Sequence, residues 1–578
     1  MHVQKTAIKE QPMKNRLVRL FLLLAIFVML AVLPACSDDP KQAVQEKQTA
    51  STPASPSSES FLIYAGSEMS GLAPMIMKWA KKKDIDLRIE YKGSIDMMRM
   101  MADGTNTPVD AYWPAHTIWF ILGDTQHKIK NKRSIMVSPI VAGLKKSKVE
   151  ELGWDTRSPD LEEFLAAARD GKFKYAKTSS TQSNSGALFH LAAWWVFAGK
   201  PDNWTMDIVK DKEIQEKARE MEATVASTSG SSGWLKSKMI HDMGQLDGMI
   251  NYEAMISEAN IGWTSVDKHT GKEVKHKGLI QKGEEPLHVV YLSDATMMAD
   301  HPLGYVDKGN SAKAGIFEEL QAYLLTPKAQ KKMIRLGRRN RLLGMDASLA
   351  DKNAFNPDQG FDVSRVIAPI QPPREEVLTA ILDLYQEKVR KPSATFWVID
   401  DSGSMYKNGG KQAVQEAMSI LLTPAKARQF KLQPTSKDIH VIIPFSNIQG
   451  DPIIAQGNDP AVLEDLMEKV RSIRLGGGTN MYSGVISALS LIKTREQDIQ
   501  GHFPAIAVLS DGVSKGALSA VLQAADELGM SDIPIHTLSF GTDVDERQLK
   551  EMADQCGGRY FSGKTDVAKA FRKMKGYN

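Results

Sequence analysis

Short apolar runs alternate with longer amphipathic stretches from residue 61 to about residue 360. The first three runs are FLIYAG, LRIEYKGS and VDAYWPA, and an amphipathic stretch through Trp79 separates the first two. Strand, helix, strand is the unit that this pattern indicates. Its repetition predicts a parallel or mixed α/β sheet, and we assign residues 61–371 to this region.

A helical pattern follows the pair Pro372-Pro373 and ends near Lys391-Pro392. Its apolar positions share one face: Val377, Leu378, Ile381, Leu382 and Tyr385. Because such a face has to pack against other apolar groups, residues 372–392 are predicted to form a docked helical connector rather than a free linker.

Residues 393–578 have a third pattern. The run ATFWVID, residues 394–400, is continuously apolar, which is typical of a central parallel strand that is buried on both faces. Further runs of this kind cover residues 439–446, 504–512 and 534–541, with helical patterns between them. This order predicts one doubly wound, Rossmann-like α/β domain.

The amino terminus has the pattern of an export signal. Lys14, Arg16 and Arg19 precede an apolar run over residues 20–33. The run is long enough for a signal-peptide core but short for a membrane-spanning helix of about 20 residues. It ends at the tetrapeptide Leu-Pro-Ala-Cys36, which resembles the lipobox of bacterial lipoproteins.

This resemblance implies that residues 1–35 are a lipoprotein signal peptide. Cys36 would become the first residue and carry a diacylglyceryl group and acyl chains such as palmitate. An uncleaved anchor helix with an incidental cysteine is the alternative, and both put the rest of the chain outside the cytoplasm. Ser37 directly after the cysteine favours sorting to the outer membrane in that family. We expect a lipid-anchored protein of the cell envelope, on the periplasmic face or the cell surface.

Residues 36–60 hold almost no large apolar side chains and many Pro, Ser, Thr, Gln and Lys residues. Such a segment cannot bury enough apolar surface to offset the entropy lost on ordering. We interpret it as a flexible tether that lets the folded part stand off the membrane.

The bulk composition narrows the partner classes. A chain of 578 residues is too long for one hydrophobic core. Its net charge of +4 is near neutral, and no basic stripe indicates a nucleic-acid partner. The two cysteines, Cys36 and Cys556, exclude a disulfide framework and a cysteine-based zinc site.

Loops rich in serine and glycine follow the predicted strands of the first region. They cover residues 66–71, 93–94, 178–186 and 227–233. In open α/β sheets, ligands bind beyond the carboxyl ends of the strands, and helix N-termini there hold anions or carboxylates. Plain turns and helix N-caps are the alternative interpretation.

This region resembles the type 2 extracellular solute-binding proteins, which are the receptor components of ABC importers. The resemblance rests on the order of YAGSEMSG, PIVAGLKKSKVEELGW, TSSTQSNSG and NYEAMISEAN. It implies a periplasmic-binding-protein-like body of two α/β lobes around a cleft for a small solute. The implied ligand-binding candidates are Ser67, Ser94, Ser180, Ser183, Ser229, Ser231 and Tyr252. Trp113, His116 and Trp119 are interpreted as core residues rather than cleft residues.

Oxygen-bearing side chains lie where three of the C-terminal runs end. Asp400, Ser402 and Ser404 alternate in one loop, Thr479 follows three glycines, and Asp511 follows a strand. Aspartates and neutral hydroxyls suit a hard cation such as Mg²⁺, or Mn²⁺ or Ca²⁺, and disfavour Zn²⁺.

This pattern resembles the metal-ion-dependent adhesion site (MIDAS) of von Willebrand factor A (VWFA) domains, over about residues 393–578. The resemblance implies that an acidic residue of a protein partner completes the coordination of the ion. Two alternatives stay open: the serines only cap the next helix, or the site is intact but empty.

No pairing of a nucleophile with a base is visible, so we do not expect an enzyme. His440, His536 and Cys556 are interpreted as core residues. The first functional hypothesis is an anchored binding lipoprotein that uses the metal site to bind a protein partner and also carries a solute-binding module. The alternative is the solute receptor of an ABC-type transporter with an accessory docking domain. A chelatase-type assembly role is disfavoured because an exported chain has no ATP and the sequence has no phosphate-binding lysine loop.

Overall fold

The computed structural model describes residues 60–241, 244–267, 270–340, 345, 347–407, 409–474, 476–511, 514–540, 544–564 and 567–575. All of them fall within one unit, residues 58–578. The predicted signal peptide, the lipid-anchor residue Cys36 and almost all of the predicted tether lie outside the described residues.

The strands of the first region are β1 (Phe61–Ala65), β2 (Leu87–Tyr91), β3 (Ala111–Trp113), β4 (Ile129–Ser134), β5 (Ser138–Lys145), β6 (Tyr175–Thr178), β7 (Ser227–Ser229), β8 (Gly248–Tyr252), β9 (Trp263–Val266), β10 (Glu273–His276), β11 (Leu287–Val290), β12 (Met298–Ala299) and β13 (Pro302–Val306). Its α-helices are α1 (Ala73–Lys82), α2 (Ser94–Met101), α3 (Ile118–Gly123), α4 (Lys146–Glu151), α5 (Leu161–Arg169), α6 (Asn184–Phe197), α7 (Met206–Lys210), α8 (Lys212–Thr224), α9 (Ser232–His241), α10 (Glu253–Ile261), α11 (Leu279–Lys282), α12 (Ser311–Leu324) and α13 (Pro327–Ile334). Short 3₁₀ helices cover Ser67–Leu72, Ala347–Leu349 and Pro357–Gln359.

Two large sheets organise this region, which also contains a two-stranded antiparallel sheet of β9 and β10. The first has the order β2-β1-β3-β13-β4, and Ile76 of α1, Phe317 of α12 and Met333 of α13 belong to its core. The second has the order β11-β5-β8-β6-β7, with β12 also paired to β5. We call these sheets, with their helices, the first lobe and the second lobe. The chain passes between the lobes after β4 and returns after β12.

The connector consists of α14 (Glu375–Leu384), which continues as a π-helical turn over Tyr385–Val389. Val377, Leu378 and Ile381 are buried in the same cluster as Leu188 and Trp194 of α6 in the second lobe. The apolar face predicted for this segment is therefore packed against the second lobe, as its periodicity requires.

The C-terminal region contains β14 (Ser393–Asp400), β15 (Ile439–Phe445), β16 (Ile453–Gln456), β17 (Phe503–Ser510), β18 (Ile535–Ser539) and β19 (Tyr560–Ser562). Its helices are α15 (Gly403–Lys407), α16 (Gly410–Leu422), α17 (Pro424–Phe430), α18 (Pro460–Ser472), α19 (Met481–Thr494), α20 (Leu518–Glu527), α21 (Glu546–Gln555) and α22 (Val567–Lys575).

These strands form one sheet in the order β16-β15-β14-β17-β18-β19, parallel except for β16. Along β14, Phe396 and Val398 enter the core on one face, whereas Trp397 and Ile399 enter the core on the other. Helices cover both faces, which explains why the β14 run is continuously apolar. His440, His536 and Cys556 are buried, as the sequence predicts.

A buried carboxylate joins the connector to this C-terminal sheet. Asp438 is fully buried and accepts hydrogen bonds from the Arg390 guanidinium (3.2 Å), the Ser393 N–H (2.8 Å) and the Thr435 N–H (3.0 Å) and hydroxyl (3.0 Å). Burial alone would raise the pKa of Asp438, but the Arg390 guanidinium holds that pKa well below its usual range. Asp438 is therefore a charged anchor between the connector and the start of β14.

Among the described residues, no helix has both the length and the apolar character needed to span a membrane.

We expect the substitution Asp438→Asn to lower the free energy of unfolding by about 3 kcal/mol, because it leaves the Arg390 charge without its buried partner. Urea unfolding of the full chain measures this change. The matched control is Asp532→Asn, which alters an exposed aspartate and is expected to stay within about 0.5 kcal/mol of the parent. Equal midpoints for both variants would contradict the anchoring role.

Candidate functional site

A cavity of about 100 Å³ lies between the two lobes, beyond the carboxyl ends of β1, β2, β7 and β8. The first lobe contributes Gly66, Ser67, Glu68, Tyr91, Lys92, Gly93, Ser94 and Asp96. The second lobe contributes Gln182, Ser183, Asn184, Gly230, Ser231 and Tyr252, and the C-terminal sheet contributes Arg559. Loops that are far apart in the sequence therefore meet at this cavity.

Several helices begin at this cavity. Ser94 is the first residue of α2, Asn184 is the first residue of α6, and Ser232, the first residue of α9, directly follows Ser231. The free N–H groups and the dipole at a helix N-terminus favour negative charge nearby. The arrangement can therefore hold an anionic group of a solute.

The lobes touch each other beside the cavity. The hydroxyls of Ser67 and Ser231 are 2.9 Å apart, and the Gly233 N–H donates a hydrogen bond of 3.1 Å to the Ser67 hydroxyl. A Cβ atom on Gly93 would lie 2.6 Å from the backbone oxygen of Gln182, so this approach requires glycine. The two lobes are therefore in direct contact at the rim of the cavity.

Five of the seven predicted ligand-binding residues line this cavity: Ser67, Ser94, Ser183, Ser231 and Tyr252. The other two, Ser180 and Ser229, are fully buried and lie outside the cavity lining, and Ser229 is the last residue of β7. The Ser180 hydroxyl donates to the Gly186 carbonyl (3.2 Å), and the Ser229 hydroxyl donates to the Ser231 carbonyl (3.0 Å). Both side chains brace the loops that present the lining residues.

The tryptophans near the cavity are core residues, in agreement with the sequence analysis. The Trp113 indole donates to the His301 carbonyl (3.0 Å), and the Trp119 indole donates to the Asn184 side-chain oxygen (2.6 Å). Asn184 in turn donates to the Tyr252 hydroxyl (3.0 Å). Trp119 therefore orients two lining side chains without lining the cavity itself. His116 is likewise absent from the lining, and its Nδ1 accepts a hydrogen bond from the Ile118 N–H (3.1 Å).

The lining carries charges of both signs. Lys92 is almost buried, and its ammonium group pairs with Glu90 at 2.5 Å. Burial raises the pKa of Glu68 to about 7, so this carboxyl changes charge near neutral pH. Burial also raises the pKa of Tyr252 well above its usual range, which keeps the phenol neutral.

The charged and amide residues of the lining were not among the ligand-binding residues predicted from the sequence. Glu68 and Lys92 lie within or next to the loops that were selected, so a rule that included polar neighbours of each glycine would have found them. Arg559 carries no comparable signal, because it reaches the cavity from another domain of the chain.

The predicted metal-binding residues lie at the carboxyl edge of the C-terminal sheet. Asp400 ends β14, Asp511 follows β17, and the chain reverses its strand order between these two neighbours. Such a switch point is the usual ligand position in open α/β sheets. Among the described residues, no cluster of three or more His, Cys, Asp or Glu side chains could hold a metal ion, so this edge depends on hydroxyls.

Hydrogen bonds hold the two neighbouring loops of this edge together. The Ser402 N–H donates to the Asp400 carboxylate (2.9 Å), and the hydroxyls of Ser402 and Ser404 are 3.0 Å apart. The Gly403 N–H donates to the Gly477 carbonyl (3.0 Å), which holds the glycine loop that leads to Thr479 against the loop that carries both serines.

The donor set at this edge fits a divalent cation. The pKa of Asp400 is raised to about 6, mainly by burial and also by the nearby Asp511, although hydrogen bonds from Ser510 (2.6 Å) and Ser402 favour the charged form. One carboxylate oxygen of Asp511 is buried and has no hydrogen-bond partner among the residues that the structure describes. An orphaned carboxylate oxygen close to a second carboxyl group is the arrangement that a bound cation compensates.

The comparisons with known proteins concern both parts of the chain. Residues 61–339 match the family model described as bacterial extracellular solute-binding protein. The chain carries a solute-binding domain. This family implies an exported location for the domain. No curated protein matches the chain.

Solved structures with similar folds are remote in sequence. The sulfate-binding protein SubI from Mycobacterium tuberculosis H37Rv is 16% identical over 50% of this chain and 88% of that chain, with a TM-score of 0.35. The ferric binding protein from Campylobacter jejuni is 13% identical over 56% and 97%, with a TM-score of 0.38. A von Willebrand factor type A structure from Catenulispora acidiphila is 17% identical over 32% and 43%, with a TM-score of 0.27.

We expect the substitution Gly93→Ala to open the solute-binding domain. The added Cβ overlaps the Gln182 oxygen, and overlap of this kind costs about 1 to 3 kcal/mol, which shifts the ratio of closed to open forms by about 5- to 150-fold. Small-angle X-ray scattering of the full chain would show a larger radius of gyration. Gly315→Ala is the control, since its Cβ meets no atom within 4 Å. An unchanged scattering curve for Gly93→Ala would contradict the closed contact.

Proposed function

We propose that this protein is an exported solute receptor of the type that serves ABC importers, and that its solute is a small anion bound between the lobes. The observation that carries this proposal is the convergence of hydroxyls and helix N-termini from both lobes on one cavity. The match of residues 61–339 to the solute-binding family supports it. The signal peptide, the lipid anchor at Cys36 and the location in the cell envelope belong to this proposal.

Binding would follow from closure of the lobes around the anion. The first lobe offers the start of α2, and the second lobe offers the starts of α6 and α9. An anion placed between these helix N-termini meets donors from both lobes and therefore stabilises the closed arrangement over the open one. No covalent chemistry is needed, which agrees with a receptor rather than an enzyme.

Glu68 gives this binding a pH dependence. Its carboxyl lies near His301, at 3.7 Å, while burial lowers the pKa of that imidazole to about 3 and keeps it neutral. The other titratable groups that act on or respond to Glu68 are Arg338, Glu258 and Tyr252. Because the pKa of Glu68 is raised to about 7, its carboxyl is mostly neutral at pH 6 and mostly charged at pH 8. A charged Glu68 repels an anion.

Calorimetric titration of the full chain with sulfate, phosphate and acetate tests the proposal. Sulfate keeps its charge between pH 6 and pH 8, so its affinity reports on the protein alone. If only the neutral form of Glu68 accepts the anion, affinity for sulfate falls about tenfold over this range. The substitution Glu68→Gln is expected to flatten that dependence. Failure of all three anions to bind, or binding of an uncharged sugar instead, would sink the anion assignment.

The second candidate function is metal-dependent binding of a protein partner by the C-terminal domain, which we propose to be a VWFA domain. The orphaned oxygen of Asp511 favours this function. Asp400, Ser402, Ser404, Thr479 and Asp511 would hold Mg²⁺, Mn²⁺ or Ca²⁺. The bound cation would offer an open coordination position to an acidic residue of the partner.

We expect Asp400→Ala to weaken the binding of Mg²⁺ or Mn²⁺ to the full chain by 10- to 100-fold, an effect of the size that loss of a supporting ligand produces. Isothermal titration calorimetry measures the difference. Asp401→Asn is the matched control, because the neighbouring Asp401 carboxylate contacts Lys411 (3.2 Å) and Tyr406 (3.3 Å) instead. The same heat from the parent and from Asp400→Ala would exclude this metal site.

A further inference from the structure

The solute cavity has a third wall that comes from the C-terminal sheet. Of the described residues that line the cavity, Arg559 alone belongs to that sheet domain. Arg559 directly precedes β19, so it lies at the amino edge of the sheet, opposite the carboxyl edge with Asp400 and Asp511. The two edges of one sheet therefore face two different candidate sites.

The sheet fixes the backbone of Arg559. Its N–H donates to the His536 imidazole (3.1 Å), and its carbonyl accepts from the Thr537 N–H (3.0 Å). A Cβ atom on Gly558 would lie 2.0 Å from the Ile535 oxygen, so the turn before Arg559 needs glycine at that point. The guanidinium lies 5.6 Å from the Phe561 ring, which limits its freedom further.

The sheet domain packs against the second lobe beside the same cavity. Trp234 lies in the first turn of α9, which begins directly after Ser231, and its side chain packs against a core cluster of the sheet domain that includes Phe571. In the other direction, Phe503 at the start of β17 packs against the core of the second lobe. These reciprocal contacts fix the sheet domain, and with it the backbone of Arg559, against the second lobe beside the cavity.

We propose that Arg559 is a solute-binding residue supplied by the C-terminal domain, and that this domain completes the cleft. The inference deepens the proposed function and rests on it. A guanidinium is charged at every physiological pH and presents a planar fork of donors. The solute class that it selects is an anion with two acceptor oxygens in one plane, such as a carboxylate, a sulfate or a phosphate.

Substitutions of Arg559 and of a second arginine distinguish direct binding of the anion by Arg559 from a general effect of positive charge. In calorimetric titrations of the full chain with sulfate, Arg559→Gln is expected to weaken binding at least tenfold, and Arg559→Lys is expected to retain part of the affinity because it keeps the charge. Arg547→Gln removes an exposed arginine from the same domain and should bind sulfate like the parent. Parent-like affinity of Arg559→Gln would overturn the inference.

A cross-linking experiment tests the position of Arg559 without any ligand. The pair Tyr91→Cys and Arg559→Cys, in a chain with Cys36→Ser and Cys556→Ser, is expected to be joined by a short bis-maleimide, whereas Tyr91→Cys with Arg547→Cys is not. Absence of the first cross-link in folded protein would contradict the position of Arg559 at the cavity. If the cross-link forms but the parent binds none of sulfate, phosphate and acetate, the anion assignment fails and the ligand role of Arg559 falls with it.

Discussion

The buried carboxylate of Asp438 is the interaction on which the arrangement of this molecule depends. A charge at this depth is tolerated only because Arg390 and several donors satisfy it. Arg390 ends a connector whose apolar face lies in the core of the second lobe. Gln386 of the same connector accepts from Thr181 (2.9 Å) and donates to the Gln433 carbonyl (3.1 Å), so it links the lobe and the sheet a second time.

This anchoring determines which edge of the C-terminal sheet faces the second lobe and which edge stays away from it. The strands of a parallel sheet all begin at one edge and end at the other, and here the edge where they begin faces the second lobe. The carboxyl edge, with its candidate metal site, lies at the opposite end of the strands. The eight residues of β14 span roughly 25 Å from one edge to the other. A solute and a protein partner would therefore occupy separate sites that a rigid sheet connects.

The sequence predicted the elements and the loops better than it predicted individual contacts. The Ser and Gly loops at strand ends were visible because polar residues interrupt apolar runs, and in both lobes these loops reach the cavity. The sequence alone does not distinguish Ser183, which lines the cavity, from Ser180, whose hydroxyl bonds within its own loop. That difference depends on the direction of each side chain. The roles of Arg559 and Asp438 could not be predicted from the sequence for another reason. Their surroundings are fixed only when two distant parts of the chain pack together.

The packing also indicates which contacts between the lobes would have to separate if the cleft opened. The connector lies in the core of the second lobe, and Trp234 of that lobe packs against the sheet domain, so these two bodies are held by apolar contacts. The first lobe contacts the second through polar or backbone groups at Ser67 and Gly93. It also contacts the second lobe through Ile118 and Trp119, which belong to the same buried apolar cluster as Leu188. Polar contacts at a surface exchange with water at little cost, whereas separation of apolar faces does not. Opening of the cleft would therefore cost free energy mainly at Ile118 and Trp119, because the polar groups at Ser67 and Gly93 can form hydrogen bonds with water instead.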